Sequence, residues 1–301
     1  MPAAAPLFML AFDHRNALVG KMLPGRTDRA DELVPPAKDL IYDGARAVLA
    51  DADLGGGQLA VLVDEQYGTA VARSARRDGV TLAVACERSG QKHFELEYGA
   101  DAAAHIEDLD PDYVKVLVRY NPDGDEEQSA RERAALAEVS ALCQTLDRKL
   151  LFELLVPPTE AQLAAAGGDA ARYDAEQRAA LTVRTMDAFQ STGTLVHLWK
   201  VEGYETPEDA AAVARQAARG AVDAPIIVLG RGADDAQVDH WIRVAAATEG
   251  FAGFAIGRSI WWSPVSDWLN DACTREQAVE RIAASYRRAI GVWTATVGAP
   301  A

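Results

Sequence analysis

Cysteine is scarce in this sequence. Cys86, Cys143 and Cys273 are odd in number, and none sits at a metal-ligand spacing. That argues against a disulfide framework and for buried thiols in a reducing compartment. Histidine is as sparse: His14, His93, His105, His197 and His240 form no H-x-x-H or H-x-x-x-H pair, so a paired-imidazole zinc site fits poorly and no metal is expected. Basic charge is short too. The 30 Lys and Arg against 45 Asp and Glu leave a formal charge of −15. With no segregated basic patch, such a chain repels nucleic acid and anionic membranes, and neither is an expected partner. No run approaches the ~20 apolar residues of a membrane span. The opening MPAAAPLFMLAF has no basic segment and too short an apolar stretch for a signal peptide. These absences predict a soluble cytoplasmic protein. No G-x-G-x-x-G turn follows the first strand-like run, which counts against a doubly wound dinucleotide fold.

What is present is a regular alternation. Apolar runs recur at Leu7–Asp13, Gln58–Asp64, Thr81–Glu87, Tyr113–Tyr120, Lys149–Val156, Leu195–Glu202, Pro225–Gly230 and Phe251–Gly257. They are rich in Val, Leu, Ile, Ala and Phe, as parallel strands buried on both faces should be. Each ends in a polar or glycine-bearing cluster: DHR, DEQYG, ERSG, RYNPDGD, VPPTE, EGYE, GRG, GRS. The gaps read as helices. Thr206-Pro207-Glu208-Asp209 is an N-cap followed by a first-turn proline and acidic residues that complement the helix dipole. Asp125–Leu146, Asp234–Thr248 and Thr274–Val297 have helical patterns, and Glu160–Phe189 is long enough for two helices broken near Gly167-Gly168. The segment 20–36 reads as an irregular polar loop before a helix starting near Ala37. Eight β-then-α units over residues 1–301 predict an α/β fold, one (β/α)8 TIM-barrel domain. The late tryptophans Trp241, Trp261, Trp262, Trp268 and Trp293 suit the core better than a subunit contact, though a homo-oligomer stays open.

In such a barrel, polar residues at strand C-termini face the active site. Asp13, Asp64, Glu87, Lys115, Glu153, Lys200, Arg231 and Arg258 all fall at or just past predicted strand ends. Lys200 lies in the buried-looking run Leu195–Gly203. Residues two apart share a strand face, so Val196, Leu198, Lys200 and Glu202 point one way and His197, Trp199 and Val201 the other. A lysine in an apolar strand is costly unless paired or used. It is either paired with Glu202 and inert, or desolvated and free to attack a carbonyl. Lys115, in Tyr113–Arg119, would be a second inward cation that disfavours the ammonium form of Lys200. Glu153, alone in LLFELL, is a lysine partner or a proton shuttle. The turns Gly230-Arg231-Gly232 and Gly257-Arg258 follow strands seven and eight, where barrel phosphate sites often lie. Their glycines let backbone N–H groups approach an oxyanion, and their arginines add charged donors.

The ordered set AFDHR, DEQYG, ERSG, YVKVLVRYNPD, FELLV, WKVEG, LGRG and AIGRSIW resembles the class I, Schiff-base tagatose-1,6-bisphosphate aldolases from strand one to strand eight. It resembles more closely the DUF2090-type aldolase-like domain found with the inositol-catabolism kinase and assigned to cleavage of 2-deoxy-5-keto-gluconate 6-phosphate. Sulfofructose-1-phosphate aldolases belong to the same wider group. The resemblance implies a metal-free, cofactor-free lyase. Lys200 matches the imine-forming lysine, Glu153 the strand-five acid, Lys115 the strand-four lysine and Asp13 the strand-one aspartate. Asp64 and the two Gly-Arg turns then bind substrate, and Arg119 or Arg88 meets the end opposite the phosphate. Here DEQYG replaces the family's D-P-E-Y-G, and Arg231 stands where the tagatose enzymes tend to have a small residue; both count against the tagatose substrate, and the closer resemblance favours the carboxylate-bearing one. A sugar-phosphate-binding barrel without catalysis, and an isomerase using Glu153 as base, are the alternatives from other classes.

Overall fold

The computed structural model describes residues 5–50 and 54–298. Residues 1–4 of the leader reading, and both extreme ends of the 1–301 domain, lie outside the described residues. Eight parallel strands close a barrel in sequence order: β1 Leu7–Ala11, β2 Gln58–Asp64, β3 Thr81–Ala85, β4 Tyr113–Arg119, β5 Lys149–Leu155, β6 Leu198–Glu202, β7 Ile226–Leu229 and β8 Phe251–Ile256. β1 closes the ring against β8. The helices between them are α1 Asn16–Met22, α2 Ala30–Leu49, α3 Glu65–Arg77, α4 Ala102–Leu109, α5 Glu126–Thr145, α6 Glu160–Ala165, α7 Ala170–Glu176, α8 Arg178–Ser191, α9 Pro207–Ala217, α10 Asp235–Ala246, α11 Arg258–Leu269 and α12 Arg275–Val297. This is the (β/α)8 barrel that the alternation of apolar runs predicts.

Local chemistry explains most boundaries. Asp125, Thr159, Thr206, Asp234 and Thr274 each accept a backbone N–H bond from the first turn of the helix they precede, at 2.8–3.3 Å. Pro207 opens α9, where a missing N–H costs nothing. Strand residues alternate between two cores. Phe8, Leu10, Val61, Val63, Phe152, Trp199 and Val201 face the helical shell, whereas Met9, Ala11, Leu62, Ala83, Leu151, Leu198, Ile227 and Ala255 plug the barrel. Trp241, Trp261 and Trp293 are buried in the shell-side core, and Trp262 and Trp268 pack against it.

Three expectations need correction. Segment 20–36 is not an irregular loop: it holds the end of α1, a 3-10 turn at Thr27–Arg29, and the start of α2 at Ala30. Pro35 and Pro36 sit inside α2, which keeps its course because Ala30, Val34, Ala37, Leu40, Ile41 and Ala45 are buried along it. Packing outweighs the two missing N–H donors. Arg26 also anchors the segment, donating to Leu269 O and Asn270 Oδ1, both at 3.0 Å. The stretch from Glu160 to Phe189 forms three helices rather than two, and α11 follows directly on the last strand, where only a turn was expected. Among the described residues, no helix is long and apolar enough to cross a membrane.

Candidate active site

The polar layer sits one step above the apolar plug. Alternation carries the inward face from Leu151 to Glu153 on β5 and from Leu198 to Lys200 on β6. Glu153 and Lys200 are direct register partners across β5 and β6. The Lys200 Nζ to Glu153 Oε2 distance is 2.7 Å, with side chains only 5% and 10% exposed. Glu202, the partner first considered for Lys200, is engaged elsewhere: it accepts from the Val156 N–H at 3.1 Å and pairs with Arg231 at 3.2 Å and Arg178 at 3.9 Å.

Lys115 lies beside Leu151 in the β4–β5 register, and its stem rises beneath Glu153. Its ammonium donates to Asp13 Oδ2 at 2.6 Å and Glu87 Oε1 at 2.8 Å, and lies 3.0 Å from Glu153 Oε2. Burial opposes charge on this lysine, but the three carboxylates outweigh burial and hold it firmly as an ammonium. The expected role as a bare second cation is therefore corrected: its charge is compensated on three sides. Burial also works against ionised Asp13 and Glu153, yet the Lys115 and Lys200 charges hold both below the usual carboxylate range. For Glu87 the balance reverses, and burial pushes its carboxyl up despite Lys115. His14 lines the same cavity, edge-on to Trp261 at 5.5 Å between ring centroids. Burial pulls it down to about 4 against the Asp13 charge, so it is a neutral imidazole near neutral pH.

These groups open into a cavity of about 510 Å³ at the C-terminal mouth of the barrel. Its other wall is the pair of Gly-Arg turns. Gly257 is forced by contact: a Cβ there would lie 2.2 Å from the Ala11 carbonyl oxygen. Gly232, at φ +77°, lets the Arg258 guanidinium lie across the turn, because a Cβ would come within 2.9 Å of Arg258 Cζ. Arg258 donates to Arg231 O at 2.6 Å and has no carboxylate partner among the described residues. Arg231 differs. It holds a left-handed backbone at φ 50° and ion-pairs with Asp174 and Glu202. The two arginines are thus unequal, and Arg258 is the one free to take an anion. Across the barrel, Arg119 lines the cavity, donates only to Gln91 O at 3.3 Å and has no acidic partner among the described residues. Arg88 also lines it but is paired with Glu95 at 2.5 Å.

Asp64 is the site residue that the structure places elsewhere. It is fully buried, pairs with Lys38 of α2, and caps α3 by accepting from the Tyr67 N–H at 2.9 Å. It does not line the cavity, because the first turn of α3 takes the carboxylate instead. His197 is a packed histidine, accepting from the Leu150 N–H at 3.1 Å. Sequence reasoning placed Glu87 on the rim but gave it no role, and it did not assign Arg15 or Asp174 to the cavity, nor Arg178 behind Glu202. The signal for Glu87 was its place directly after the apolar run TLAVAC; Asp174 and Arg178 lie on a crossover whose path no local pattern gives. Among the described residues, no three His, Cys, Asp or Glu are grouped to hold a metal ion; the converging carboxylates meet on an ammonium.

The family profile described as "Uncharacterized protein conserved in bacteria (DUF2090)" matches residues 2–297. The chain belongs to this family. The narrower likeness, to tagatose or keto-gluconate phosphate enzymes, is not decided by that match. No curated protein sequence matches this DUF2090 chain. Among solved structures it is similar to fructose-bisphosphate aldolase from Plasmodium falciparum, at 13% identity and TM-score 0.60, over 97% of this chain and 91% of that one. It is also similar to fructose-bisphosphate aldolase from Slackia heliotrinireducens, at 14% identity and TM-score 0.57, over 98% and 87%. A third similar structure is Cgl0159 from Corynebacterium glutamicum, at 16% identity and TM-score 0.53, over 94% and 86%. At such identities the likeness is one of fold.

Proposed function

We propose that this barrel is a class I aldolase that cleaves a phosphorylated keto sugar through an imine on Lys200, with 2-deoxy-5-keto-gluconate 6-phosphate as the favoured substrate. The observation that carries the reading is the meeting of Lys200 with Glu153, at 2.7 Å, in the cavity whose opposite wall holds Gly232, Gly257 and Arg258. Arg258 and the glycine-rich turns take the phosphate, which fixes the ketone over the amine. Lys200 gives up a proton to solvent, its amine adds to the ketone carbon, and uptake of a proton with loss of water leaves a protonated imine. Glu153 then takes the proton of the hydroxyl β to the imine carbon. The carbon–carbon bond breaks, an aldehyde leaves, and the electron pair enters the imine to give the enamine of dihydroxyacetone phosphate. Asp13 and Lys115 position hydroxyls. Reprotonation and hydrolysis return the free lysine. No metal or organic cofactor enters these steps.

Arg119 supports a substrate with a second anionic end. It sits on β4, four strands round from β8 and Arg258, and no carboxylate among the described residues compensates it. The carboxylate substrate, tagatose 1,6-bisphosphate and sulfofructose 1-phosphate all carry such an end and share the dihydroxyacetone phosphate half. The test is borohydride reduction in the presence of dihydroxyacetone phosphate, with peptide mass mapping, alongside product assays on the three keto sugars. The expected result is an irreversible adduct on the peptide containing Lys200 and cleavage that survives chelator. Cleavage with no adduct at Lys200 would overturn the proposal.

A further inference from the structure

The Lys115 ammonium donates to Asp13 and Glu87 and lies 3.0 Å from Glu153, so it meets three carboxylates from different strand ends. The proposed mechanism uses Asp13 and Glu153 but gives Glu87 nothing to do. Yet Glu87 is the most thoroughly fixed of the three. Its Oε2 accepts from the Leu117 N–H at 3.2 Å. Its own carbonyl accepts from Arg15 Nη2 at 2.6 Å, and that guanidinium lies 3.7 Å from Glu87 Oε1. Arg15 is held in turn by Glu97 at 3.0 Å. Behind Glu87 the chain folds back on itself, with an antiparallel bridge between Glu87 and Leu96 and an Arg88 N–H to Glu95 O bond at 2.9 Å. The loop after β3 therefore delivers a carboxylate to the floor of the cavity and pins it there.

We propose that Glu87 is a positioning residue for carbon–carbon cleavage: it holds and compensates the Lys115 ammonium so that Glu153 stays available to Lys200 and the substrate. The inference rests on the aldolase reading above and extends it to a residue that reading leaves idle. The charges facing Glu87 are Lys115 on β4 and Asp13 and Arg15 after β1; Glu97 of its own loop holds Arg15, and Glu153 on β5 and Lys200 on β6 lie beyond Lys115. Glu153 Oε2 lies between two ammonium groups, 3.0 Å from Lys115 and 2.7 Å from Lys200. With Glu87 in place, Lys115 has two other carboxylates to lean on. Without that charge Lys115 draws harder on Glu153, and a carboxylate so held is a weaker base.

Glu87→Gln is the variant of choice, because an amide oxygen still accepts from the Leu117 N–H and only the charge is lost. The measurements are kcat, KM and the pH profile of kcat on whichever of the three keto sugar phosphates is turned over, with borohydride trapping of dihydroxyacetone phosphate in parallel. The expected result is a kcat lowered about 10-fold or more, KM within about twofold, and undiminished trapping at Lys200. The acid limb of the kcat profile moves to lower pH, because Glu153 loses a negative neighbour, and Glu87→Asp recovers most of the rate. A Glu87→Gln enzyme with the parent's kcat and pH profile would overturn the inference. So would rate and trapping that fall together with the folded fraction, with Glu87→Asp no better, since that is the signature of a merely structural acid. Failure of the underlying reading shows separately, as parent protein that gives no adduct at Lys200, and it removes this inference as well.

Discussion

Two buried lysine–carboxylate groups lie on either side of the strand ring. Lys38 and Asp64 stand between α2 and the end of β2, both fully buried, and Lys38 also donates to Phe12 O at 2.8 Å. Lys200 and Glu153 stand inside the ring, almost as buried, but their atoms border the 510 Å³ cavity. The chemistry of the pairs is the same. What separates them is what lies on the far side of the amine: a backbone carbonyl and packed helix in one case, room for a ligand in the other. Burial and pairing therefore do not by themselves mark a lysine for chemistry; access to a cavity is the further requirement, and only Lys200 of these two meets it.

The sharpest break of that comparison is to delete each amine. Lys200→Met is expected to abolish cleavage and adduct formation while the protein still melts cooperatively, as followed by calorimetry and product assay. Activity that persists would put Lys200 in the same class as Lys38. Glu153→Gln should retain borohydride trapping but lose about 10²–10⁴-fold in kcat. Lys38→Met strands Asp64 without its partner and should cost about 3–5 kcal/mol of stability. A thermal melt should show a fall of about 5–8 °C, with kcat per folded molecule unchanged. Arg258→Ala should raise KM about 10- to 100-fold, the worth of charge-assisted bonds to a phosphate. Arg231→Ala should do less, because its guanidinium is already held by Asp174 and Glu202. Equal effects from the two arginines would contradict the unequal roles assigned to them. The smallest effect concerns pH. His14 titrates near 4 in the folded protein against an ordinary value of 6.5. Between those values the unfolded chain takes up a proton that the folded one refuses, so stability falls as pH drops from 6.5 toward 4. His14→Gln should flatten that part of the melting profile and leave it unchanged above pH 7.

The barrel was legible because period-two apolar runs, end-of-strand polar clusters and capping residues all agree along the chain. Lys115, Glu153, Lys200 and Asp13 were legible for the same reason: alternation alone puts them one step beyond the plug. Asp64 has the same signature and a different fate, since alternation cannot say whether a strand-end carboxylate turns into the cavity or back to cap the next helix. The missing clue was Lys38. With Val34, Ala37, Ile41 and Ala45 it occupies the buried stripe of α2, where an unpaired lysine would be too costly. A lysine on that stripe calls for a buried acid nearby, and Asp64 supplies it. Arg231 lines the cavity, but the acids that hold it were not legible, for a related reason. Its glycine neighbours suggest an anion turn, but Asp174 and Glu202, which occupy it, come from a distant crossover and a neighbouring strand. Segment 20–36 shows the opposite error, a helix masked by two prolines that tertiary packing overrides.

The close approach of Gly257 to the Ala11 carbonyl, and the Trp261 Nε1 bond to that same oxygen at 2.9 Å, have a consequence for assembly. The turn proposed to take the phosphate hangs from the first strand of the ring but is supplied by the last. A chain emerging from the ribosome therefore owns its amine and its carboxylates well before it owns this turn. Capture of an anion there would report that the ring has shut, which makes inorganic phosphate a natural probe for following late folding.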